Sequence, residues 1–184
     1  AYLAQSPQLY KQMAVIGGIE KVFITLPIYR AEKHNTIYHL NEAISLDVEM
    51  GFINDYNDIM NILENVVIEM LKSIDIDPPK IKKYPYKKVV EILNENGYNM
   101  KIGEDFTKEA EKKIYQILQE DLYFITDFPT KIRAFYTMPK DEFYSYSFDL
   151  FYKGLEIASG AQRIHDVDML EKSLSDRGLN PIDF

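Results

Sequence analysis

The sequence contains no cysteine. That excludes a disulfide scaffold, thiolate zinc sites and thiol catalysis. It has no apolar run near the roughly 20 residues that a membrane-spanning helix needs, so no membrane partner is expected. It has no basic block. Net charge is −8 over 184 residues, and non-specific nucleic-acid binding needs clustered Lys and Arg. A P-loop and a Ser-His-Asp signature are both missing. His34, His39 and His165 lack metal-ligand spacing, which argues against zinc. What is present is ordinary core material: 46% of the residues are apolar. A chain of this size buries roughly 70% of its unfolded surface. Position 1 is Ala, no charged n-region precedes an apolar stretch, and the chain closes on Leu179-Asn180-Pro181-Ile182-Asp183-Phe184. The expectation is a piece of a longer protein without a signal peptide.

Patterning predicts an α+β fold, an antiparallel sheet with flanking helices. A short helix over 8–16 stops at Gly17-Gly18, and a β-branched, aromatic strand runs over 21–30. Residues 43–52 alternate: Ile44, Leu46, Val48 and Met50 point one way, Ser45, Asp47 and Glu49 the other. That predicts a strand with a buried apolar face and an exposed acidic face. An amphipathic helix follows over about 55–74. Residues 75–85 read as a Pro- and Lys-rich linker, and 75–120 as a helical insertion with helices over 86–96 and 104–120. Strands are expected over 121–128, 134–138, 145–151 and 155–158, then a capped helix over 166–177.

Three groups of residues invite chemistry. Arg30 and Glu32, two apart at a strand end, share a face and would reach one phosphate or carboxylate, or form a surface ion pair. Asp149 and Glu156 flank Tyr152-Lys153-Gly154. If Lys153-Gly154 is a two-residue turn, Phe151 pairs with Glu156. Asp149 then becomes a diagonal neighbour of Glu156, about 7–8 Å away. Two such carboxylates would flank metal ions on a polyphosphate, or simply face solvent. Arg163 follows a Gly-containing turn, placed for an anion or merely for solvent.

Taken in order, these segments resemble one family. Ala4-Gln5-Ser6-Pro7-Gln8-Leu9-Tyr10-Lys11-Gln12 is similar to the substrate segment of aspartyl-tRNA synthetases. Tyr29-Arg30-Ala31-Glu32-Lys33-His34-Asn35-Thr36, His39-Leu40-Asn41-Glu42 and Leu46-Asp47-Val48-Glu49-Met50 resemble their class II motif 2. Ser147-Phe148-Asp149-Leu150 and Gly154 to Asp166 resemble the stretch before motif 3. The archaeal and eukaryotic branch fits best.

The resemblance implies a partial class II catalytic domain over residues 1–184. Residues 1–74 would hold the substrate segment and motif 2, and 121–184 the region before motif 3. Motif 1, motif 3 and the anticodon-binding domain would lie elsewhere. It implies a cytoplasmic enzyme, homodimeric in its full-length form. Such an enzyme uses ATP and Mg2+ to turn aspartate into aspartyl-adenylate, then loads tRNA(Asp). Arg30 would be the catalytic arginine on the ATP α-phosphate, with Glu32, His39 and Glu156 on ATP. Ser6, Gln8, Lys11, Asp47, Ser159 and Arg163 would bind aspartate, Lys11 and Arg163 facing its side-chain carboxylate. Asp149, Glu156 and Ser159 would hold magnesium, with Gly160 beside them. Tyr38 replaces a common Arg, and Ala43 replaces a common adenine-stacking aromatic residue. Two other classes compete. One is a synthetase-like paralogue, asparaginyl-specific or amide-forming. The other is an inert fragment or binding module. Without motif 3, the isolated chain is expected to exchange little pyrophosphate.

Overall fold

A computed structural model describes residues 3–31 and 40–183. The chain forms two compact units, Ala1–Asn54 and Asp55–Phe184.

In the first unit, helix α1 (Gln8–Ile16) packs on an antiparallel pair, β1 (Lys21–Tyr29) and β2 (Glu42–Met50). The alternation of β2 is present, but its faces are reversed from the expectation. Ile44 and Leu46 are 76% and 55% exposed, whereas Glu49 is buried. Phe23, opposite Val48 in the register, extends the open apolar face. The reason is Lys11, 4% exposed on α1. A buried ammonium needs carboxylates beside it, so the acidic face of β2 turns toward α1.

In the second unit a four-stranded sheet runs β3 (Lys82–Pro85), β4 (Leu122–Thr126), β5 (Ser147–Tyr152), β6 (Leu155–Ala161). The β4–β5 and β5–β6 pairs are antiparallel, but β3 runs parallel to β4. The sheet is therefore mixed, and residues 82–85, read as linker, form its edge. Pro85 ends β3 there, consistent with proline at strand margins. The expected strand at 134–138 is absent; Thr137 makes only an isolated bridge to Arg163.

Helix α2 (Asn57–Lys72) covers one face of this sheet. Its Met60 and Leu71 pack with Leu122, Phe124, Phe148 and Leu150. Helices α3 (Tyr86–Glu95) and α4 (Lys108–Leu118) cover the other, meeting Tyr123, Ile125 and Phe151. All five residues of β4 are buried, because a strand covered on both faces has no wet side. Thr107 caps α4, its hydroxyl accepting from the Ala110 N–H at 3.2 Å. Helix α5 (Val167–Ser175) starts the same way, with Asp166 accepting from the Met169 N–H. No described helix is long and apolar enough to cross a membrane.

Leu150 is fully buried between α2 and its own sheet. Leu150→Ala is expected to lower stability by about 2–5 kcal/mol, read as a shift in the denaturant midpoint at unchanged slope. A loss under 1 kcal/mol is outside that range.

Candidate active site

Two polar constellations stand out, one in each unit. In the first, the Lys11 Nζ donates to Asp47 Oδ1 at 3.0 Å and lies 3.6 Å from Glu49 Oε2. It also reaches the Val48 carbonyl at 3.5 Å. Ser45 donates its hydroxyl to Asp47 Oδ2 at 2.6 Å, and Gln8 Nε2 donates to Glu49 Oε2 at 3.4 Å. Ser6, just before α1, is exposed and its hydroxyl accepts the Gln8 N–H. The period-2 register of β2 brings Ser45, Asp47 and Glu49 to one face, where α1 delivers Gln8 and Lys11 one turn apart. The cluster holds one cation between two carboxylates. It therefore offers a positive point for a carboxylate ligand and a negative surplus for an amine.

Arg30 follows β1 and is exposed. Its backbone N–H bonds the Asn41 carbonyl at 3.0 Å, which closes the β1–β2 connection. Glu32 and His39 lie outside the described residues.

In the second unit, Lys153 and Gly154 have φ of 50° and 77°, the left-handed pair that a two-residue hairpin turn requires. Tyr152 pairs with Leu155 and Phe151 with Glu156, as expected. The ladder then shifts: Leu150 pairs with Ala158, so Ile157 is an extra residue on β6. This bulge puts Ser159, not Ala158, opposite Asp149. Gly160 is needed for space, since a Cβ there would lie 2.3 Å from Phe148 Cζ.

Asp149 is 4% exposed. Its Oδ2 accepts from the Arg133 guanidinium at 2.7 Å, while its Oδ1 has no hydrogen-bond partner. Arg133 also stacks on Phe128, 3.8 Å from the ring centroid. Burial raises the pKa of Asp149; the Arg133 charge and the Ser159 hydroxyl pull it back. Glu156 is exposed as a residue, with its carboxyl group partly desolvated. Burial, and then the Asp149 charge, push its pKa up to about 7. Arg163 lies over the Tyr136 ring at 4.7 Å.

The pair has the chemistry of a cation site. It offers two mutually repelling carboxylates, one of them carrying a buried, unused acceptor oxygen. Among the described residues, no group of three or more His, Asp or Glu side chains forms a closed metal cage. Mg2+ takes one or two carboxylates and completes its shell with water and phosphate oxygens, so two carboxylates are a sufficient protein donor set.

Three contributors carry no signal in short-range sequence pattern. Alternation puts Glu49 on the face expected to meet solvent, and only its three-dimensional pairing with Lys11 reveals it. Arg133 sits in an irregular loop with no periodicity. Glu111 of α4 is 4% exposed, and its Oε2 and Oε1 accept from Lys108 at 2.8 and 2.9 Å. Its burial on the apolar stripe, beside Ala110 and Ile114, was the only available signal.

Residues 1–183 match the family model of class II tRNA synthetases (D, K and N). The chain belongs to this family. It is 44% identical over 199 residues to the aspartate–tRNA(Asp/Asn) ligase of Methanopyrus kandleri, covering all of this chain and 46% of that protein. The aspartate–tRNA(Asp) ligase of Picrophilus torridus is also 44% identical over 199 residues, with 47% of its length covered. The aspartyl-tRNA synthetase structure from Entamoeba histolytica superposes with a TM-score of 0.89 at 38% identity, covering all of this chain and 43% of that one. The chain thus spans just under half the length of the synthetases it matches.

The raised pKa of Glu156 predicts a pH signature. Its ordinary value is 4.5, so protonation favours the folded state. This contribution is complete below pH 4.5 and is lost as pH rises through about 7. Without divalent cations, Glu156→Gln should therefore raise the melting temperature at pH 8 and leave it nearly unchanged at pH 4. Equal effects at both pH values would count against the shift.

Proposed function

We propose that this chain is part of an aspartate–tRNA ligase, and that it contributes to activating aspartate with ATP and passing the aspartyl group to tRNA(Asp). The observation that carries this reading is the Asp149–Glu156 pair, with its unused buried oxygen Asp149 Oδ1. Mg2+ held there would neutralise the triphosphate and polarise its phosphate oxygens. The relatives' names support aspartate as the amino acid.

The chain's own residues act by position and charge. Arg30 binds the α-phosphate and offsets the negative charge that develops as the substrate carboxylate attacks it. Asp47, braced by Ser45 and Lys11, receives the substrate's α-amino group, and Gln8 and Ser6 fix its orientation. Lys11 and Arg163 are assigned to the side-chain carboxylate by family likeness. A neutral asparagine amide in that place lacks the negative charge that both cations attract, which disfavours it. Ser159 lies opposite Asp149 and orients it. Glu156 binds on the triphosphate side. No general base is required, because positioning and neutralisation carry the step. Glu32 and His39 are assigned to the ATP side by family likeness. The parent works in the cytoplasm as a homodimer, with tRNA contacts supplied largely by other domains.

The test is aspartate-dependent exchange of pyrophosphate into ATP by the whole protein. Arg30→Ala should lower the exchange rate about 10²–10³-fold, the effect of losing one preorganised charge donor. Lys11→Ala should cut the preference for aspartate over asparagine at least tenfold, read as the ratio of kcat/KM values. An unchanged ratio would overturn the role given to Lys11. Absence of aspartate-dependent exchange in the whole protein would overturn the ligase reading.

A further inference from the structure

Arg133 holds Asp149 by one prong only. Its Nη2 donates to Asp149 Oδ2 at 2.7 Å, while its buried Nε finds no hydrogen-bond partner among the described residues. An arginine fork often grips a carboxylate through two parallel bonds. A single bond leaves the angle of the guanidinium to be set from elsewhere. Stacking on Phe128 restrains its plane, and the rest depends on the backbone that carries Arg133. That backbone follows a single 3-10 turn, Thr130–Ile132, closed by the Arg133 N–H on the Thr130 carbonyl at 3.2 Å. One isolated turn is too short to be stable by itself.

The end of α5 supplies the hold. Arg177, just past the last turn of α5, donates from Nη1 to the Arg133 carbonyl at 2.7 Å and from Nη2 to the Thr130 carbonyl at 3.3 Å. Ser173 donates its hydroxyl to the Phe135 carbonyl at 2.6 Å. Four residues apart, Ser173 and Arg177 lie on one side of the helix end. Leu174 between them is buried. Gly178, at φ 72°, closes the helix, with the Leu179 N–H on the Leu174 carbonyl at 3.1 Å. The end of α5 is thereby anchored, and the fork of Arg177 spans the 3-10 turn from Thr130 to Arg133. Arg177 is exposed, yet the residue whose backbone it grips has a side chain only 16% exposed and bonded to Asp149.

We propose that Arg177 is a positioning residue for the Asp149–Glu156 pair, acting through the backbone of Thr130 and Arg133. By fixing that backbone it fixes Arg133 on Asp149 Oδ2, and so leaves Oδ1 as the oxygen free for a cation. The inference rests on the assignment of Asp149 and Glu156 as cation ligands. Without the fork the loop slackens, and Arg133 loses its single bond for part of the time. The carboxylate then no longer presents one defined oxygen.

The test is Mn2+ binding to the whole protein without nucleotide, followed by the electron paramagnetic resonance signal of free Mn2+. Amide hydrogen exchange over residues 130–135 gives a second reading. Arg177→Met should speed that exchange and weaken Glu156-dependent Mn2+ binding about threefold or more. Groups that orient a metal's ligands typically matter roughly 10–100-fold, and Arg177 stands one contact further out. Removing a positive charge would by itself tighten cation binding, so weakening separates positioning from charge. Arg177→Lys keeps the charge but not the fork, and should weaken binding as Arg177→Met does. Lys172→Met, at an exposed position of α5, should leave both readings unchanged. A merely structural role for Arg177 moves the unfolding midpoint or the loop's exchange but not Mn2+ affinity. If Glu156→Gln weakens Mn2+ binding while both Arg177 variants bind as the parent does, the inference falls and the site assignment stands. If the whole protein shows no Mn2+ binding that depends on Glu156, the assignment falls and takes the inference with it.

Discussion

A carboxylate at the centre of a sheet covered on both faces is the constraint around which the second unit is organised. Asp149 stands on β5 among buried aromatic and aliphatic residues such as Phe124, Phe148, Leu150 and Phe151. A buried charge without partners is prohibitively unfavourable, so the surroundings must supply compensation. Arg133 supplies one full charge and one hydrogen bond, and it is itself held by stacking on Phe128. The bulge at Ile157 brings a hydroxyl opposite Asp149 where the regular ladder would bring the methyl of Ala158. Each device spends local regularity on the same carboxylate.

One oxygen of Asp149 is left over. In a structure optimised only for stability, such an acceptor is a liability of about 1–3 kcal/mol. Beside Glu156, whose ionisation is already opposed by burial and by Asp149, it becomes sensible as a place for a cation. The first unit follows the same logic with opposite sign. There a buried cation, Lys11, requires two acids, and the polarity of β2 is inverted to provide them. Both constellations are high-stakes polar clusters in which removing one member strands another.

Legibility in the sequence followed the range of the interaction. The two-residue turn at Lys153-Gly154 and its first two cross-strand pairs were readable, because they depend on adjacent residues and a period of two. Helices α1 to α5 were readable within a few residues from periodicity and caps. The bulge was not, since Ile157 differs from a regular β6 residue only in what faces it across the sheet. Strand β3 was not, because Lys-Lys-Tyr-Pro acquires its pairing only from β4, about 40 residues later in the chain. The buried side of β2 runs opposite to its hydrophobic pattern for the same reason. Alternation reveals that there are two faces, and only the packing of α1 decides which is inside.

Residue type and spacing along the chain carry the α+β class, the order of the family blocks, and the identities of the charged groups that the fold can present to a ligand. These follow from residue type and short spacing, which a linear chain carries whole. The tertiary structure alone decided which of those groups are compensated. It paired Lys11 with Asp47 and Glu49, tied Arg133 to Asp149, and packed α4 against the β5–β6 turn at Gly154. Charge acts through space and dielectric, not along the chain. The net effect on each carboxylate therefore existed only once the sheet had closed around it.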